Sequence, residues 1–388
     1  MPFDFDFFSH EFDADPFPIY RRLRDDYPCY WHEQTGIWVL SRHADIYEAV
    51  TNHRVFSSEK GNLMEELPGR AGSTLGTTDP PHHDRLRGLI QHAFSRRKVD
   101  VLSEQIRSIC NAAIDRIDGA KEFDFIADYS SRVSVRSVFA FLGLPPGNEE
   151  EVRHHALQVV QYDRATGRRS KAHLESFEWI RAFAGKTIDE RRLVQGDDVI
   201  SQFSVAELDG DRLDEREVLL TISTLLLAGI ESLGGFLSVF GYNLARFADV
   251  RAAVVSDPGR LPDAIEESLR YNSSAQRFYR RLKKDVPLHG QVMRAGDTVG
   301  LFYGAGNRDE RRFPDPDRFD LDRKPRAHLG LGAGVHFCIG AMLARLVVRI
   351  AIEQFHLRMS AYTLAEEPPV WLPSLNFRAP AAVRLAVG

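Results

Sequence analysis

The longest run of apolar positions covers residues 218–240, where Glu231 is the only charged residue. Asp214 lies just before this run and Glu217 follows within one turn, which is the capping-box pattern of a helix start. The pattern predicts a helix that continues to about residue 245. Length and hydropathy alone would allow this helix to cross a membrane. The acid near its middle and the polar sequence on both sides favour a helix inside the core of a large protein.

Shorter periodic stretches predict a mixture of helices and strands along the rest of the chain. Residues 61–78 show no periodicity and are predicted to form a long loop, which is often a functional feature. Helices and short strands do not alternate as in a βαβ chain, so a doubly wound parallel sheet is not expected. The predicted helices are 18–26, 43–51, 101–117, 262–271 and 339–355, and the predicted strands are 36–41, 276–281 and 298–303.

Length and composition describe one large globular protein. The chain has 388 residues, of which 43% are hydrophobic, and this is enough to bury a large core. No repeat, low-complexity tract or Ser/Gly/Pro-rich linker divides it, so residues 1–388 are interpreted as a single domain. The formal net charge of -5 provides no basic surface field, which argues against nucleic acid as a partner.

The cysteines Cys29, Cys110 and Cys338 are too few and too dispersed for a disulfide framework, and this usage fits a reducing compartment. Cys110 falls at a helical core spacing, and Cys29 stands at a predicted strand start, so both are interpreted as structural. The first residues carry acids and no basic n-region. No secretory signal is therefore expected, and the predicted location is the cytoplasm.

The third cysteine lies in a glycine-rich segment, LGAGVHFCIG at residues 331–340. Its glycines, Gly332, Gly334 and Gly340, allow unusual backbone dihedrals and close approach to a flat ligand. Because a helix is predicted directly after Cys338, the helix N-terminus would favour the thiolate form. On these features alone, a thiolate ligand and an ordinary buried loop cysteine both remain open.

This segment resembles the haem-binding loop of cytochromes P450, where Phe-Gly-x-Gly-x-His-x-Cys-x-Gly is followed by Leu-Ala-Arg. His336, Cys338 and residues 343–345 match that pattern. The resemblance implies that Cys338 is the axial ligand of the iron of haem b and that His336 contacts a haem propionate. Leu331 stands where the family usually has Phe, which leaves ligation intact and puts the tuning of the iron in question.

A second segment, Glu267-Ser-Leu-Arg270, resembles the Glu-x-x-Arg helix motif of the same family. The resemblance implies an ion-pair network behind the haem that also includes Arg318. A solvated pair on an exposed helix face is the alternative interpretation, because residues one turn apart share a face.

A third segment, residues 79–87, resembles the entry to the helix over the haem. The match implies that His83 and Arg87 hold a haem propionate. The fork of an arginine donates two hydrogen bonds and therefore suits a carboxylate.

The strand predicted after the Glu-x-x-Arg helix is expected to supply one more propionate ligand. Its distance from that motif selects Arg280, with Arg281 as the alternative. Alternation with period two places Gln276 and Phe278 on the haem face with Arg280. The same alternation sends Arg277 and Arg281 to the other face, which argues against Arg277 as a substrate contact.

The long helix contains Ala228-Gly-Ile-Glu231-Ser232, which resembles the family's Ala-Gly-x-Asp/Glu-Thr. The resemblance implies that Glu231 and Ser232 manage protons for bound dioxygen, with Ser keeping the hydroxyl of the usual Thr. A satisfied buried carboxylate is the alternative, although burying an acid without a function is expensive. The implied substrate pocket is mainly apolar and consists of Leu225, Leu227, Ala228, Ala275, Gln276, Phe278 and Leu375.

The resemblance covers most of the chain and implies the mainly helical P450 fold with small β-sheets, with haem b between the long helix and the Cys338 loop. The implied reaction inserts one oxygen atom from O2 into a small or medium apolar molecule. The chain shows no flavin or iron–sulfur segment and no membrane anchor, which resembles cytoplasmic bacterial members that take electrons from a separate ferredoxin and its reductase. A monomer is expected. A peroxide-driven peroxygenase of the same fold and a non-enzymatic haem sensor are the alternatives.

Charged residues at two surfaces complete the predictions. Residues 61–78 and 162–171 are expected to form the mobile walls of the pocket. The basic residues of the second wall are expected to face solvent, with guidance of an anionic substrate as the alternative. Basic residues on the proximal side are expected to bind an acidic ferredoxin. The basic residues of the wall 162–171 are Arg164, Arg168, Arg169 and Lys171, and those of the proximal side are Arg96, Arg97, Lys98, Arg345 and Arg349.

Overall fold

The computed structural model describes residues 3–194, 196, 198–208, 210–365 and 369–388. The helices are α1 His10–Ala14, α2 Phe17–Asp26, α3 His43–Thr51, α4 His82–Ile90, α5 Arg96–Val101, α6 Ser103–Ile114, α7 Ser131–Leu142, α8 Glu149–Val160, α9 Lys171–Leu193, α10 Val199–Val205, α11 Glu215–Arg246, α12 Ala248–Ser256, α13 Leu261–Tyr271, α14 Tyr303–Gly306 and α15 Ala341–Arg358. The strands are β1 Cys29–His32, β2 Ile37–Leu40, β3 Phe56–Ser57, β4 Glu122–Asp124, β5 Glu207–Leu208, β6 Asp211–Arg212, β7 Phe278–Leu282, β8 Val286–Leu288, β9 Gln291–Met293, β10 Thr298–Leu301, β11 Tyr362–Leu364 and β12 Arg384–Val387.

Helix α11 is the predicted long apolar helix, and it runs through the main hydrophobic core. The Asp214 carboxylate accepts from the Glu217 N–H at 2.7 Å, and the Glu217 carboxylate accepts from the Asp214 N–H at 3.0 Å, so the predicted capping box is confirmed. Helices α7, α8, α9, α13 and α15 pack against it. Among the described residues it is the one helix whose length and composition would suit a membrane, and its packing is that of a core helix.

The strands form small sheets beside this helical body. The largest sheet has the order β1-β2-β10-β7-β3, and within it only β10 and β2 pair in parallel. A second sheet has the order β11-β12-β4, and β5–β6 and β8–β9 form two-stranded sheets. The expected mainly helical class with small sheets is therefore confirmed, and a doubly wound sheet is excluded for the described residues.

The predicted bounds differ from the observed ones by up to three residues. The helix predicted over 101–117 is α6, Ser103–Ile114, and Val101 is the last residue of the separate helix α5. The strand predicted after α13 begins only at Phe278, because the N–H groups of Gln276 and Arg277 both donate to the Asn376 carbonyl, at 2.9 and 3.2 Å. This doubled pairing is a local bulge, and it changes the alternation of side chains before β7.

The loop 61–78 is irregular, as predicted, apart from one 3-10 turn near its end. Its turns are closed by side chains within the loop. The Glu66 carboxylate accepts from the Asn62 N–H at 2.9 Å, and the Thr77 hydroxyl donates to the Arg70 carbonyl at 2.6 Å. These bonds give the loop a defined shape beside α4.

An aromatic cluster at the N-terminus adds a second core that the sequence analysis missed. Phe3, Phe5 and Phe7 are buried, while the acids between them are exposed. The three rings pack in one cluster with Tyr20 and Phe302. The alternation of Phe and Asp is the signal, because period two describes an extended segment with one apolar face.

Candidate active site

The loop around Cys338 has the backbone that its glycines allow. Gly332 and Gly334 have φ angles of +69° and +63°, in the left-handed region that other residues rarely adopt. A Cβ atom on Gly334 would lie 3.0 Å from the Val50 carbonyl oxygen. The Cys338 N–H donates to the Leu331 carbonyl at 2.9 Å, and α15 begins shortly afterwards. The sulfur therefore stands at the start of a helix, in a turn that excludes larger residues.

Burial raises the pKa of the Cys338 thiol, while the Gly340 N–H, Arg345 and Arg87 act in the opposite direction. Since burial has the larger effect, the protein by itself keeps the sulfur protonated. The helix start alone does not produce the thiolate that the sequence argument expected. A metal cation at the sulfur would reverse the balance, because a thiol that coordinates a metal is deprotonated.

Four groups that can carry positive charge converge beside this loop. They are His83 on α4, Arg87 on α4, Arg280 on β7 and His336 in the loop itself. The His83 and His336 rings lie 4.8 Å apart. Burial, followed by repulsion from Arg280 and His83, lowers the pKa of His336 to about 3. The cluster thus disfavours a further proton on His336 and electrostatically favours a bound anion.

These groups form no ion pair with a buried carboxylate among the described residues. Arg87 donates to the carbonyls of Val335 and Phe337 at 3.2 and 3.1 Å, and Arg280 donates to the Tyr279 carbonyl at 2.8 Å. The His83 Nδ1 contacts the exposed Asp84 at 3.0 Å, but its buried Nε2 has no partner in the described part of the chain.

One buried acid, Asp79, acts on His336 but is already engaged. The Ser57 hydroxyl donates to it at 2.6 Å, and Lys283 lies 2.9 Å from it. The cluster therefore needs anions from outside the chain. Two carboxylates on a flat ligand, such as the propionates of a haem, would meet this need.

The two arginines of β7 lie on opposite faces of the strand, as the predicted alternation of side chains requires. Arg280 is 4% exposed and lies in the cluster, whereas Arg281 is exposed and donates to the Gly296 carbonyl at 2.8 Å. Arg277 is buried beneath the N-terminal aromatic cluster, with its guanidinium 5.1 Å from the centre of the Phe7 ring. The geometry therefore favours Arg280 over Arg281 as the cluster member and keeps Arg277 away from it.

The prediction that Gln276 lines the haem face is wrong. Its Oε1 accepts from the Tyr20 hydroxyl at 3.0 Å, and its Nε2 donates to the Ser273 carbonyl at 2.6 Å. Arg277 contacts the same tyrosine at 3.4 Å, so two consecutive side chains lie on one side. The bulge at Asn376 causes this, because period two holds only where strand pairing is regular.

The other pocket residues predicted beyond α11 lie around this bulge. Ala275 pairs with Phe377, and the half-buried Phe278 ring packs 5.8 Å from the Phe377 ring and 5.6 Å from the Tyr303 ring. Leu375 is buried, and it borders the cleft beside residues 162–171 that is described below.

Glu231 is buried in the middle of α11 without a counter-charge. Its side chain is 4% exposed, and its Oε2 has no hydrogen-bond partner among the described residues. Burial raises the pKa of Glu231 to about 8, so the acid is mostly protonated at neutral pH. The Ser232 hydroxyl donates to the Ala228 carbonyl one turn earlier. Ala228 is exposed although it lies at the centre of a core helix, so this face of α11 borders an open space.

Glu267 and Arg270 form a buried ion pair, with both side chains 0% exposed and a shortest distance of 2.7 Å. Arg318 takes part through its backbone, since its carbonyl accepts from Arg270 at 3.2 Å while its side chain is exposed. The guanidinium that joins the pair is Arg323, 3.1 Å from Glu267. The predicted network exists, but the role given to the Arg318 side chain is corrected to Arg323, for which the sequence carried no signal.

The wall formed by residues 162–171 is tied to other segments. Arg164 forms an ion pair with the buried Asp13 at 2.6 Å. Arg169 is 8% exposed, and its backbone N–H donates to the Glu65 carboxylate at 2.8 Å. The prediction that Arg164 and Arg169 face solvent is therefore wrong. A cleft of about 660 Å³ opens beside these contacts, and it is lined by both polar and apolar residues. Arg168 and Lys171 are exposed, as predicted.

Most predicted basic residues of the proximal side are paired with acids. Arg345 lies 2.5 Å from Glu266, Arg349 lies 2.9 Å from Glu353, and Arg96 lies 3.4 Å from Asp100. Lys98 donates to the Gln202 side chain at 2.5 Å. Arg97 is exposed, and no ion pair of its side chain occurs among the described residues.

A mainly helical fold with a cysteine at a helix start, and with a core helix whose buried acid has no ion-pair partner among the described residues, is typical of a haem-thiolate protein. Residues 260–368 match the family model described as Cytochrome P450. The chain is 33% identical to the cyclomarin C epoxidase CymV of Salinispora arenicola over 379 residues, which cover 94% of this chain and 94% of the relative. It is 30% identical to the steroid C26-monooxygenase of Mycolicibacterium smegmatis over 363 residues, which cover 92% of this chain and 89% of the relative.

The structural comparison agrees with the sequence comparison. Cytochrome P450 CYP109Q5 from Chondromyces apiculatus matches with a TM-score of 0.90 at 28% identity, over 99% of this chain and 98% of that chain. The chain therefore belongs to the cytochrome P450 family, and it is a haem-dependent oxidoreductase of the monooxygenase type.

Proposed function

We propose that this P450 inserts one atom of O2 into a small or medium, mainly apolar molecule by hydroxylation or O-dealkylation. The proposal further assigns haem b as the cofactor, Cys338 as its axial ligand and residues 1–388 as a single haem domain. The observation that carries it is the cluster of His83, Arg87, Arg280 and His336 beside the cysteine loop, which forms no ion pair with a buried carboxylate among the described residues. When bound, the haem supplies the activation of oxygen.

The four cluster residues would hold the propionates and so fix the plane of the haem against Cys338. A desolvated carboxylate needs charged or hydrogen-bonding partners, and the unpartnered Nε2 of His83 is one such donor. Val335 and Phe337 carbonyls already orient Arg87 toward the loop. The protein would thus orient the haem and neutralise the charge of its propionates.

Glu231 and Ser232 would handle protons on the opposite side of the haem. A carboxyl group with a pKa of about 8 holds a proton at neutral pH and can release it to a more basic acceptor. The Ser232 hydroxyl, which donates to the Ala228 carbonyl, can turn to a new acceptor by rotation about one bond. Glu231 is buried, which excludes bulk water from its carboxyl group, whereas Ser232 is partly exposed on the open face of α11.

The proposed pocket is apolar because Leu225, Leu227 and Ala228 of α11 and Ala275 and Phe278 near β7 contribute no charge. Relatives are consistent with such substrates: one is named a steroid C26-monooxygenase, and cytochrome P450 CYP109E1 of Bacillus megaterium, 25% identical, was solved with testosterone. Electrons would come from a separate ferredoxin and its reductase, and the protein is proposed to be a cytoplasmic monomer.

The test of the cofactor site is the reduced protein with carbon monoxide, which is expected to show the red-shifted Soret band of thiolate ligation. Cys338→Ser is expected to lose this band, and its retention would refute the assignment. Arg280→Leu is expected to lower haem occupancy, with Arg281→Leu as the matched control. Loss of haem in Arg281→Leu alone would transfer the role to that residue. NAD(P)H consumption with a ferredoxin pair, compared with activity on peroxide alone, separates the monooxygenase from a peroxygenase.

A further inference from the structure

One face of α11 is left open by the rest of the protein. The buried face carries residues such as Ile222, Leu226 and Ile230, which belong to the main core. On the other face, Thr224, Ala228 and Ser232 lie at successive helical turns and remain partly or fully exposed. Under the proposed function Ser232 would lie beside the haem, so the face that carries Thr224 and Ala228 would border the reaction site.

The open face is closed at both of its ends. Toward the N-terminus, Glu217 is held by Arg85 of α4 at 2.6 Å. Toward the C-terminus, Ser274 packs closely against Gly235, because a Cβ atom on that glycine would lie only 2.5 Å from the Ser274 hydroxyl. The helix face between these contacts is about 27 Å long at 1.5 Å per residue, and it forms one wall of the proposed substrate pocket.

Thr224 places a free hydroxyl in this pocket. Two serine hydroxyls of α11 bond to the carbonyl one turn earlier: Ser223 donates to Leu219 at 2.7 Å, and Ser232 donates to Ala228. The hydroxyl of Thr224 has no such bond or any other partner among the described residues. It is a polar group on a wall whose neighbours Leu225, Leu227 and Ala228 are apolar.

We propose that Thr224 orients the substrate by hydrogen-bonding to an oxygen function of an otherwise apolar molecule. A single polar group in an apolar pocket fixes orientation, while the surrounding wall supplies shape. Thr224 lies about 6 Å along the helix from Ala228 and about 12 Å from Ser232, at 1.5 Å per residue. The substrate class is therefore an alicyclic ketone or alcohol whose oxygen lies one to two helical turns from the carbon that is oxidised. This inference rests on the proposed monooxygenase function and adds the substrate feature that its pocket selects.

The experiment compares 4-cyclohexylcyclohexanone with its hydrocarbon, bicyclohexyl, by spin-state titration of the haem-loaded enzyme. The wild type is expected to bind the ketone more tightly. Thr224→Val keeps the shape and removes the hydroxyl, so it is expected to weaken ketone binding about fivefold to tenfold and leave the hydrocarbon unchanged. Thr224→Ser is expected to restore the preference for the ketone.

Ser223→Ala is the matched control, because that hydroxyl is bonded within the helix on the buried face. It is expected to leave the ketone-to-hydrocarbon ratio at the wild-type value. A ratio that is the same in wild type and Thr224→Val, or a wild type without preference for the ketone, overturns the proposal. The Soret band with carbon monoxide is recorded for each variant. Its absence in the wild type would refute the proposed function itself, whereas its presence together with an unchanged ratio refutes only the role of Thr224.

Discussion

At the scale of single residues, two buried glutamates show how surroundings decide the role of one chemical group. Glu267 is 0% exposed and is matched by Arg270 and Arg323 in a structural ion-pair network. Glu231 is 4% exposed and its Oε2 has no partner among the described residues. The cost of burying a charge then falls on the ionised form, which raises the pKa of Glu231 to about 8. The paired acid stabilises the fold, whereas Glu231 is the acid that we propose for proton transfer.

Glu231→Gln is expected to slow turnover, because an amide has no acidic proton to release. The same substitution is expected to change the pH dependence of protein stability. The pKa of Glu231 is about 8 in the folded protein against 4.5 as its ordinary value. Between these pH values the native state holds a proton that the unfolded chain has lost. Stability therefore falls as pH rises through this window, by up to about 1.4 kcal/mol per pH unit.

Denaturant unfolding of wild type and Glu231→Gln at several pH values from 5 to 8 measures this effect. The free energy of unfolding of the wild type is expected to decline relative to the variant as pH increases. Parallel pH profiles would show that Glu231 is not protonated in the native state. Turnover equal to the wild type would remove Glu231 from proton delivery.

At the scale of elements, the sequence predicted correctly those features that depend on residues close together in the chain. The capping box at Asp214 and the glycine turn before Cys338 are short-range features, so the start of α11 and the cysteine loop followed from sequence. The position of Gln276 depended on a bulge opposite Asn376, which no nearby residue announces. The Arg164–Asp13 pair joins segments far apart in the chain, so no periodicity could reveal it.

The network around α13 gives a prediction that separates backbone from side-chain roles. Glu267→Gln is expected to destabilise the protein by about 3–5 kcal/mol, because it leaves the buried guanidinium of Arg270 without its partner. Arg318→Ala is expected to change stability by less than about 0.5 kcal/mol, since only the carbonyl of this residue takes part. Thermal or denaturant unfolding of the two variants checks this. Equal destabilisation by both would restore a structural role for the Arg318 side chain.

At the scale of the whole molecule, local charge rather than net charge must attract an acidic electron donor. The formal net charge is -5, so two acidic proteins repel each other at long range. On the proximal side, Arg345 and Arg349 are offset by Glu266 and Glu353. Helix α5 packs against α15, the helix that follows the cysteine loop, and carries Arg97, whose side chain forms no ion pair with the residues that the structure describes. The attraction is therefore concentrated at the α5 end of this surface.

Arg97→Gln is expected to slow reduction by an acidic ferredoxin roughly tenfold at low ionic strength, because steering depends on charges near the contact. Arg192→Gln is the matched control: it changes net charge equally, but it lies on α9, which packs against α8, α10 and α11. Stopped-flow reduction rates at increasing salt measure the effect. The difference between Arg97→Gln and wild type is expected to vanish near 1 M ionic strength, where charges interact over only about 3 Å. Equal slowing by both variants would indicate a response to net charge, and rates independent of salt would exclude electrostatic docking at α5.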